Sequence, residues 1–471
     1  MMTDTPSRFR SFRLVCTPDE VEPVMALLRL QGFSFEREPF HPQVFRLTGE
    51  PRPLGTSLAA RFGFIYIQDR SSMLPPLVLA PPAGARVLDV CASPGSKTGF
   101  LGQFVGSSGF VLGNEPSRSR LATLRRNIQT MNLLQCATAS YPGEALPLED
   151  DLIAGENTPG VQSGWPFILL DPPCSGWGTV EKNPNVMQLW QGEKVLPLIA
   201  LQQKLLRRAA ALLAPGGHLV YSTCTTNVAE NEEQVRFAIE TLGLEPVMIS
   251  PPPGFSFAEP MAGYEGCLRV NLPGTQGGSQ CGGEGVLDDN EGGGQGFFVA
   301  LFAKKTSASI NDTASANGTA HTRPCPFQSL PLSSLEASPF VDVDLLPPGD
   351  VVVINGNVRF LPALWRESIS AGFQWKGFSL GKMQGEKYSR AQNFNQVRVP
   401  AGLRRLMPSL AKAQRNGLPV LNVEDTAVIT QLLTGQSVTI DGKGKEAGLY
   451  FCGLPLCRLV VKGKRAMLPQ L

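Results

Sequence analysis

The chain has 471 residues, of which 42% are hydrophobic and 17% charged, and its formal net charge is +2. This length predicts two or three domains, and no apolar run approaches the roughly 20 residues that a membrane span needs. Ten cysteines without paired C-x-x-C spacing, and only three histidines, argue against a disulfide framework, a metal site and histidine-based catalysis. The first 16 residues contain three arginines but no apolar signal segment. We therefore expect a cytoplasmic protein, with a short organellar address as the alternative.

Residues 1–70 are predicted to form a small α+β cap. Thr17 and Glu20 have the spacing of a capping box at the start of a helix, and Gly32 is expected to end that helix. The apolar face of the helix is predicted to consist of Val21, Val24, Met25, Leu28 and Leu30. Two short strand-like segments follow, with the sequences QVFRL and FGFIYIQ.

Residues 71–306 alternate between strand and helix patterns. The predicted strands are RVLDV, GFVLGNE, PFILLD and HLVYSTC, each followed by a helical pattern. The helix before HLVYSTC is expected to end at residues 215–217, which are Pro-Gly-Gly, and GFFVALFAKK is expected to be an edge strand. Such alternation predicts an α/β fold with a doubly wound, mostly parallel sheet.

The C-terminal third begins after two segments that cannot build a core. Residues 274–296 are glycine-rich and are predicted to be a surface insertion, and residues 307–337 are predicted to be a small-polar linker. Residues 338–471 are predicted to form a separate α+β or small-barrel domain. From residue 351 onward the chain has 17 lysines and arginines against six acidic residues, a net charge of about +11. This charge indicates either a polyanionic partner such as RNA or a solvated basic surface.

The loop between the first strand and its helix has the features of a cofactor site. Gly95 allows close approach of a ligand beside a helix N-terminus, and Glu115 ends the next strand, where a carboxylate can accept from ribose hydroxyls. Ser96 precedes Lys97 where a phosphate-binding P-loop requires glycine, and the loop lacks the three glycines of a dinucleotide fingerprint. With these two motifs excluded, the loop is predicted to bind a nucleoside ligand without pyrophosphate, which suits S-adenosylmethionine. The alternative interpretation is that Gly95 belongs to an ordinary strand–helix turn with no ligand.

An acid and two thiols follow the next two strands. Asp171 and Cys174 end one strand, and Cys224 ends the other. Ligands of open α/β sheets bind at the carboxyl ends of the strands, so these side chains should share one cleft. A lone cysteine is usually a small buried hydrophobe, but two at strand ends suit methylation of cytosine C5. In that reaction a thiolate adds to C6, a carboxyl group binds at N3, and the thiol is later expelled.

The motifs that carry this chemistry resemble those of the Nop/Sun family of RNA 5-methylcytosine methyltransferases. The similar segments are VLDVCASPGSKT, LLDPPCSGWGTVEKNP, LQQKLLRRAAALLAPGGHLVYSTCT and ENEE. The segments KGFSLGKMQGEKYSRAQNF, LNVEDTAVITQLLTG and AGLYFCGLPLCRLVVKGK resemble the C-terminal domain of the family's ribosomal members. The resemblance covers almost the whole chain.

The resemblance implies a Rossmann-like methyltransferase fold, RNA as the partner, S-adenosylmethionine as the cofactor and no metal. Cys224 would be the nucleophile, Cys174 would assist product release, and Asp171 would bind the base and border the cofactor. Lys97 would orient the Asp171 loop. The residues that would hold S-adenosylmethionine are Cys91, Ala92, Ser93, Pro94, Gly95, Ser96, Lys97, Glu115 and Asp171.

The resemblance also implies an RNA-binding N-terminal cap and a C-terminal domain like a PUA fold. Small-subunit ribosomal RNA is the expected substrate, with transfer RNA as the alternative. Pro142 stands where the family usually has an acidic residue near the adenine. Two other classes remain open: an amino-group methyltransferase, and an RNA-binding assembly factor without turnover.

Overall fold

In a computed structural model of the chain, the described residues are 10–147, 164–180, 183–270, 296–306, 325–336, 338–369, 372–383 and 397–469. Their strands form four β-sheets. The predicted glycine-rich insertion, apart from its last residue, and most of the predicted linker lie outside the described residues.

The first sheet is antiparallel and has the order β2-β3-β1-β4. Its elements are β1 (Ser11–Leu14), α1 (Val21–Arg29), β2 (Ser34–Arg37), β3 (Val44–Gly49), α2 (Leu58–Arg61) and β4 (Ile65–Ile67). The backbone N–H of Thr17 donates to Glu20 Oε2 at 2.8 Å, but this capping box opens a 3₁₀ turn that leads into α1. Leu30 is 55% exposed because, two residues after the buried Leu28, it lies on the opposite side of the helix, and Leu27 is buried instead. The prediction that Leu30 faces the core was therefore wrong.

The second sheet is the largest, with nine strands. Its elements begin with α3 (Leu74–Leu79), β5 (Arg86–Asp89), α4 (Ser96–Val105), β6 (Phe110–Asn114), α5 (Arg118–Met131), β7 (Cys136–Ala139) and β8 (Trp165–Leu170). They continue with α6 (Val186–Leu189), α7 (Leu196–Leu212), β9 (Leu213–Thr223), α8 (Glu232–Glu240), β10 (Glu245–Val247), β11 (Leu268–Val270) and β12 (Phe297–Ala303). The order along the sheet is β10-β12-β9-β8-β5-β6-β7, and β5 to β9 are parallel. The expected Rossmann-like α/β fold is confirmed.

Two details of this sheet differ from expectation. The strand β12 is not an edge strand, because it pairs with β9 on one side and with β10 and β11 on the other. Helix α7 ends at Leu212, before the Pro-Gly-Gly segment, which belongs to β9. The backbone N–H of Gly216 donates to the Lys304 carbonyl at 2.9 Å, and the Lys304 N–H donates to the Gly217 carbonyl at 3.0 Å. Pairing with the chain just after β12 thus overrides the local turn preference of these residues.

The C-terminal region contains two further sheets. The elements of the third sheet and its surroundings are β13 (Gln328–Ser329), β14 (Gly349–Ile354), β15 (Asn357–Pro362), α9 (Trp365–Ser368), β16 (Trp375–Lys376), β17 (Phe378–Met383) and β18 (Val397–Arg398). Those of the fourth are α10 (Leu410–Arg415), β19 (Val420–Val423), α11 (Ala427–Leu433), β20 (Val438–Thr439), β21 (Glu446–Phe451), β22 (Leu454–Lys462) and β23 (Arg465–Met467). The orders are β13-β14-β15-β17-β18 and β19-β21-β22-β23-β20.

Strand β16 and the side chain of Arg404 are two of the features that join the C-terminal region to the rest of the molecule. The strand β16 does not enter the third sheet; it pairs antiparallel with β7 and lies at the far end of the nine-stranded sheet. Arg404 is 2% exposed, and its Nη2 donates to the carbonyls of Val15 at 2.8 Å and Gly63 at 3.0 Å. Its guanidinium also lies 3.9 Å from the ring centroid of Phe64. A buried cation that is hydrogen-bonded to the N-terminal cap ties the two ends of the chain together.

Candidate active site

The structure brings Lys97, Asp171, Cys174 and Cys224 together at the carboxyl ends of the parallel strands. Asp171 follows β8 directly, and Cys224 follows β9. Lys97 lies in the first turn of α4, after the loop that leaves β5. This arrangement follows from the fold, since parallel neighbours present their carboxyl ends at one edge of the sheet.

The two cysteines form a hydrogen-bonded pair of unequal acidity. Their sulfur atoms lie 3.4 Å apart. The hydrogen bond from Cys174 is the largest cause that lowers the pKa of Cys224; burial and Asp171 oppose it, and the Lys97 charge assists. The same hydrogen bond, together with burial, raises the pKa of Cys174 well above its usual range. The directions of these two shifts make Cys224 the more acidic thiol of the pair.

Asp171 is held by two donors. Its Oδ2 accepts from Lys97 Nζ at 2.8 Å, and its Oδ1 accepts from Ser222 Oγ at 2.8 Å. Burial lowers the pKa of Lys97, but the ion pair and hydrogen bond with Asp171 outweigh burial, so the net shift is upward. Lys97 consequently stays protonated beside the cysteine pair.

Glu230 is a fully buried carboxylate that holds the loop carrying Cys174. Its Oε1 accepts from the Ser175 backbone N–H and from Gln202 Nε2, both at 2.9 Å, and the Ser175 hydroxyl donates to its Oε2. Gln202 also donates to the Pro173 carbonyl at 2.9 Å. Glu230 is the first residue of the ENEE motif, and no role was predicted for it from the sequence. Nothing in the local sequence distinguishes the buried Glu230 from the exposed Glu233 of the same motif.

Gly178 fixes the distance between the two cysteine loops. Its backbone N–H donates to the Cys224 carbonyl at 3.0 Å, and its own carbonyl accepts from the Gly296 N–H at 3.0 Å. A β-carbon at Gly178 would lie 2.0 Å from the Gly296 carbonyl oxygen. A glycine is thus required here for backbone packing, which nothing in the local sequence revealed.

The loop 91–97 is supported from the N-terminal cap and from α5. Gly95 has φ +103°, a conformation that favours glycine. Asn127 Nδ2 donates to the Pro94 carbonyl at 2.8 Å, and the buried Arg13 donates from Nη2 to the Ser96 carbonyl at 3.3 Å. A β-carbon at Gly99 would lie 2.6 Å from Arg13 Nη2, so the glycine leaves room for this arginine. Arg13 was not identified from the sequence.

Glu115 follows β6 and is 2% exposed. Its Oε1 accepts from the Ser117 N–H at 2.9 Å, and its Oε2 lies 3.4 Å from Arg120 Nε. An ionised carboxylate has further acceptor capacity, which fits the two hydroxyls of a ribose. Pro142 follows β7, and its carbonyl accepts from the Ala145 N–H at 2.9 Å.

The fold and this donor set define an S-adenosylmethionine-dependent methyltransferase. The loop 91–97, Glu115 and Asp171 are the residues that would hold the cofactor, which supplies the methyl group when bound. In the part of the chain that the structure describes, no group of three or more His, Cys, Asp or Glu side chains is placed to bind a metal. Among the described residues, no helix is long and apolar enough to cross a membrane.

Residues 76–257 match the family model described as 16S rRNA methyltransferase RsmB/F. This part of the chain is therefore similar to the RsmB/F methyltransferases, and the resemblance inferred from the motifs is confirmed. The ribosomal RNA small subunit methyltransferase F of Shewanella sp. strain ANA-3 is 28% identical over 457 residues, which cover 95% of this chain and 87% of that protein. The protein of the same name from Cronobacter sakazakii strain ATCC BAA-894 is 35% identical over 252 residues, 50% of this chain and 49% of that protein.

The crystal structure of PH0851 supports the fold. It is 24% identical, with a TM-score of 0.51 over 64% of this chain and 60% of its own.

Proposed function

We propose that this protein methylates C5 of a cytosine in RNA, through a covalent bond between Cys224 and C6 of the base. The observation that carries the proposal is the cysteine pair, with sulfur atoms 3.4 Å apart and opposite pKa shifts. C5 is a poor nucleophile until a thiolate adds to C6, and Cys224 is the thiol poised to ionise. An amino-group methyltransferase has no use for this pair.

Lys97 and Asp171 are assigned to the base. Thiolate addition puts negative charge on the ring, and the protonated Lys97 is the nearby cation that compensates it. Asp171 would bind the N3 edge of the cytosine by accepting a hydrogen bond from the adjacent 4-amino group, with its carboxylate kept in place by Lys97 and Ser222.

Cys174 is assigned to release of the product. Its proton is held mainly by the hydrogen bond to Cys224. Once Cys224 has become a thioether, this hydrogen bond no longer raises the pKa of Cys174, and Cys174 can lose its proton to solvent. The Cys174 thiolate then takes the C5 proton, the C5=C6 double bond re-forms, and the C6–S bond breaks. This step returns Cys224 to the thiolate and Cys174 to the thiol.

Small-subunit ribosomal RNA is the proposed substrate. The relative from Shewanella sp. strain ANA-3, which is named a small-subunit ribosomal RNA methyltransferase, aligns with 95% of this chain. We assign RNA binding to the N-terminal cap and to the basic C-terminal region, for which we propose a PUA-like fold, and we place the activity in the cytoplasm.

Bisulfite sequencing of RNA from cells with and without the gene tests the proposal. A 5-methylcytosine in small-subunit ribosomal RNA should be present only with the gene, and a gene encoding Cys224→Ala should fail to restore it. A gene-dependent 5-methylcytosine confined to transfer RNA would move the substrate to that class. If no position depends on the gene, the assembly-factor alternative gains support and the proposal is wrong.

A further inference from the structure

Three cationic side chains meet where β16 joins the edge of the methyltransferase sheet. The pairing of β16 with β7 sets Lys376 opposite Thr138. Arg125 of α5 donates from Nε to Thr138 Oγ1 at 2.9 Å. Arg359 of β15 donates from Nη1 to the carbonyl of Gly377 at 2.9 Å, next to Lys376 in the chain. All three are thus anchored within one residue of the Thr138–Lys376 pair; we call Arg125, Arg359 and Lys376 the seam cluster.

The seam cluster has no carboxylate partner among the residues that the structure describes. Acidic groups of the C-terminal region pair with other cations: Asp350 with Arg366, Asp342 with Lys412, and Glu446 with Arg458. Burial, and then the charge of Arg359, lower the pKa of Arg125. The pKa of Lys376 is lowered chiefly by the charge of Arg125, then by burial and by Arg359. The three cations therefore repel one another without an anion between them.

Such an arrangement is unfavourable in the isolated protein. Both arginines are half-buried, while Lys376 is exposed. Proteins normally pair partly buried charges, since desolvation and like-charge repulsion both destabilise them. A guanidinium with one N–H engaged retains further donors, and Arg is well suited to phosphate oxygens. A phosphate oxygen therefore has the charge and the acceptor geometry that suit this cluster.

We propose that the seam cluster binds a backbone phosphate of the RNA substrate, an inference that rests on the proposed function. Trp375 pairs with Ala139, which ends β7, so the cluster lies near the same edge of the sheet as Cys224. Four strand spacings separate β7 from β9, which is roughly 19 Å at about 4.8 Å each. The cluster would therefore hold a phosphate several nucleotides away from the target cytosine, and it would join the methyltransferase domain to the C-terminal region on one RNA.

The full-length variant Lys376→Glu tests this inference, with Lys464→Glu as the matched control. Lys464 is an exposed lysine of the same basic region, in the turn between β22 and β23. The measurements are the affinity for a short fluorescein-labelled cytosine-containing RNA across a range of KCl concentrations, the unfolding temperature, and S-adenosylmethionine affinity by calorimetry.

Lys376→Glu should weaken RNA binding about tenfold and reduce the slope of log affinity against log salt by about one. Its unfolding temperature should not fall, because the new carboxylate can pair with Arg125 and Arg359. Its affinity for S-adenosylmethionine should be unchanged, and Lys464→Glu should lose less than about twofold in RNA affinity.

Equal behaviour of the two variants would overturn the inference, since the cluster would then be an ordinary solvated surface. A lower unfolding temperature with reduced cofactor affinity would also overturn it, because the effect would be on folding. If the wild-type protein does not bind RNA, the proposed function itself fails. If the wild type binds and methylates RNA while Lys376→Glu is unaffected, only the seam cluster is wrong.

Discussion

The sulfur of Cys174 lies 3.4 Å from that of Cys224, and the hydrogen bond between them lowers the pKa of Cys224 and raises that of Cys174. In the proposed mechanism Cys224 attacks first, and Cys174 acts only after Cys224 has become a thioether. Cys174→Ala should therefore still add to C6 and transfer the methyl group, but should fail to release the product. A protein–RNA adduct that survives denaturing gel electrophoresis should accumulate when S-adenosylmethionine is present.

Cys224→Ala is the matched variant for this gel, and it should give neither an adduct nor methylated RNA. Adducts from Cys224→Ala alone would reverse the two roles. The absence of an adduct from both variants would favour an amino-group methyltransferase.

The acidity of Cys224 should depend on its neighbours. The hydrogen bond from Cys174 and the Lys97 charge both lower its pKa. In Cys174→Ala and in Lys97→Met, the pKa of Cys224 should rise, so that a smaller fraction of Cys224 is thiolate at a given pH. The rate of iodoacetamide labelling of Cys224, followed by mass spectrometry, should shift to higher pH in both variants. The exposed Lys204→Met should leave the profile in place, and an unshifted Lys97→Met profile would contradict the assigned electrostatics.

Glu115 should contribute to cofactor affinity. If its carboxylate accepts from the ribose, Glu115→Ala should lose roughly 1.5–3 kcal/mol of binding free energy, about ten- to a hundred-fold in affinity. Calorimetry with S-adenosylmethionine measures this loss. Glu240→Ala, which alters an exposed residue at the end of α8, serves as the control. Unchanged affinity in Glu115→Ala would remove Glu115 from the cofactor site.

Glu230 should matter for stability as well as activity. In Glu230→Gln, an amide N–H₂ replaces an acceptor among donors from Ser175, Gln202 and Asn227. We expect the free energy of unfolding to fall by about 1–3 kcal/mol in urea titrations, with slower methyl transfer because the Cys174 loop is less well held. The exposed Glu233→Gln should be close to neutral. Equal stability of the two variants would show that the buried hydrogen bonds of Glu230 are dispensable.

The nine-stranded sheet was predictable from sequence because its central strands are short apolar runs that end in polar residues. Asp171 and Cys224 could be placed on one edge by the rule for parallel strands alone. The pairing of β16 with β7 could not be predicted, because two residues without periodicity carry it. Glu230 and Arg13 were missed for a related reason: their partners are distant in sequence, and only the folded chain surrounds them with donors or acceptors.

The late position of strand β16 in the sequence also affects folding of the chain during synthesis. The Gln374 N–H donates to the Tyr141 hydroxyl beside this strand, and the two residues are 233 positions apart. During synthesis, the edge of β7 stays unpaired until the 233 positions from Tyr141 to Gln374 have also left the ribosome. An open strand edge is a template for wrong pairing, and such long-range closure is slow. The same connection means that residues 351–471 cannot be deleted as an independent module, because β7 would be left without its neighbour.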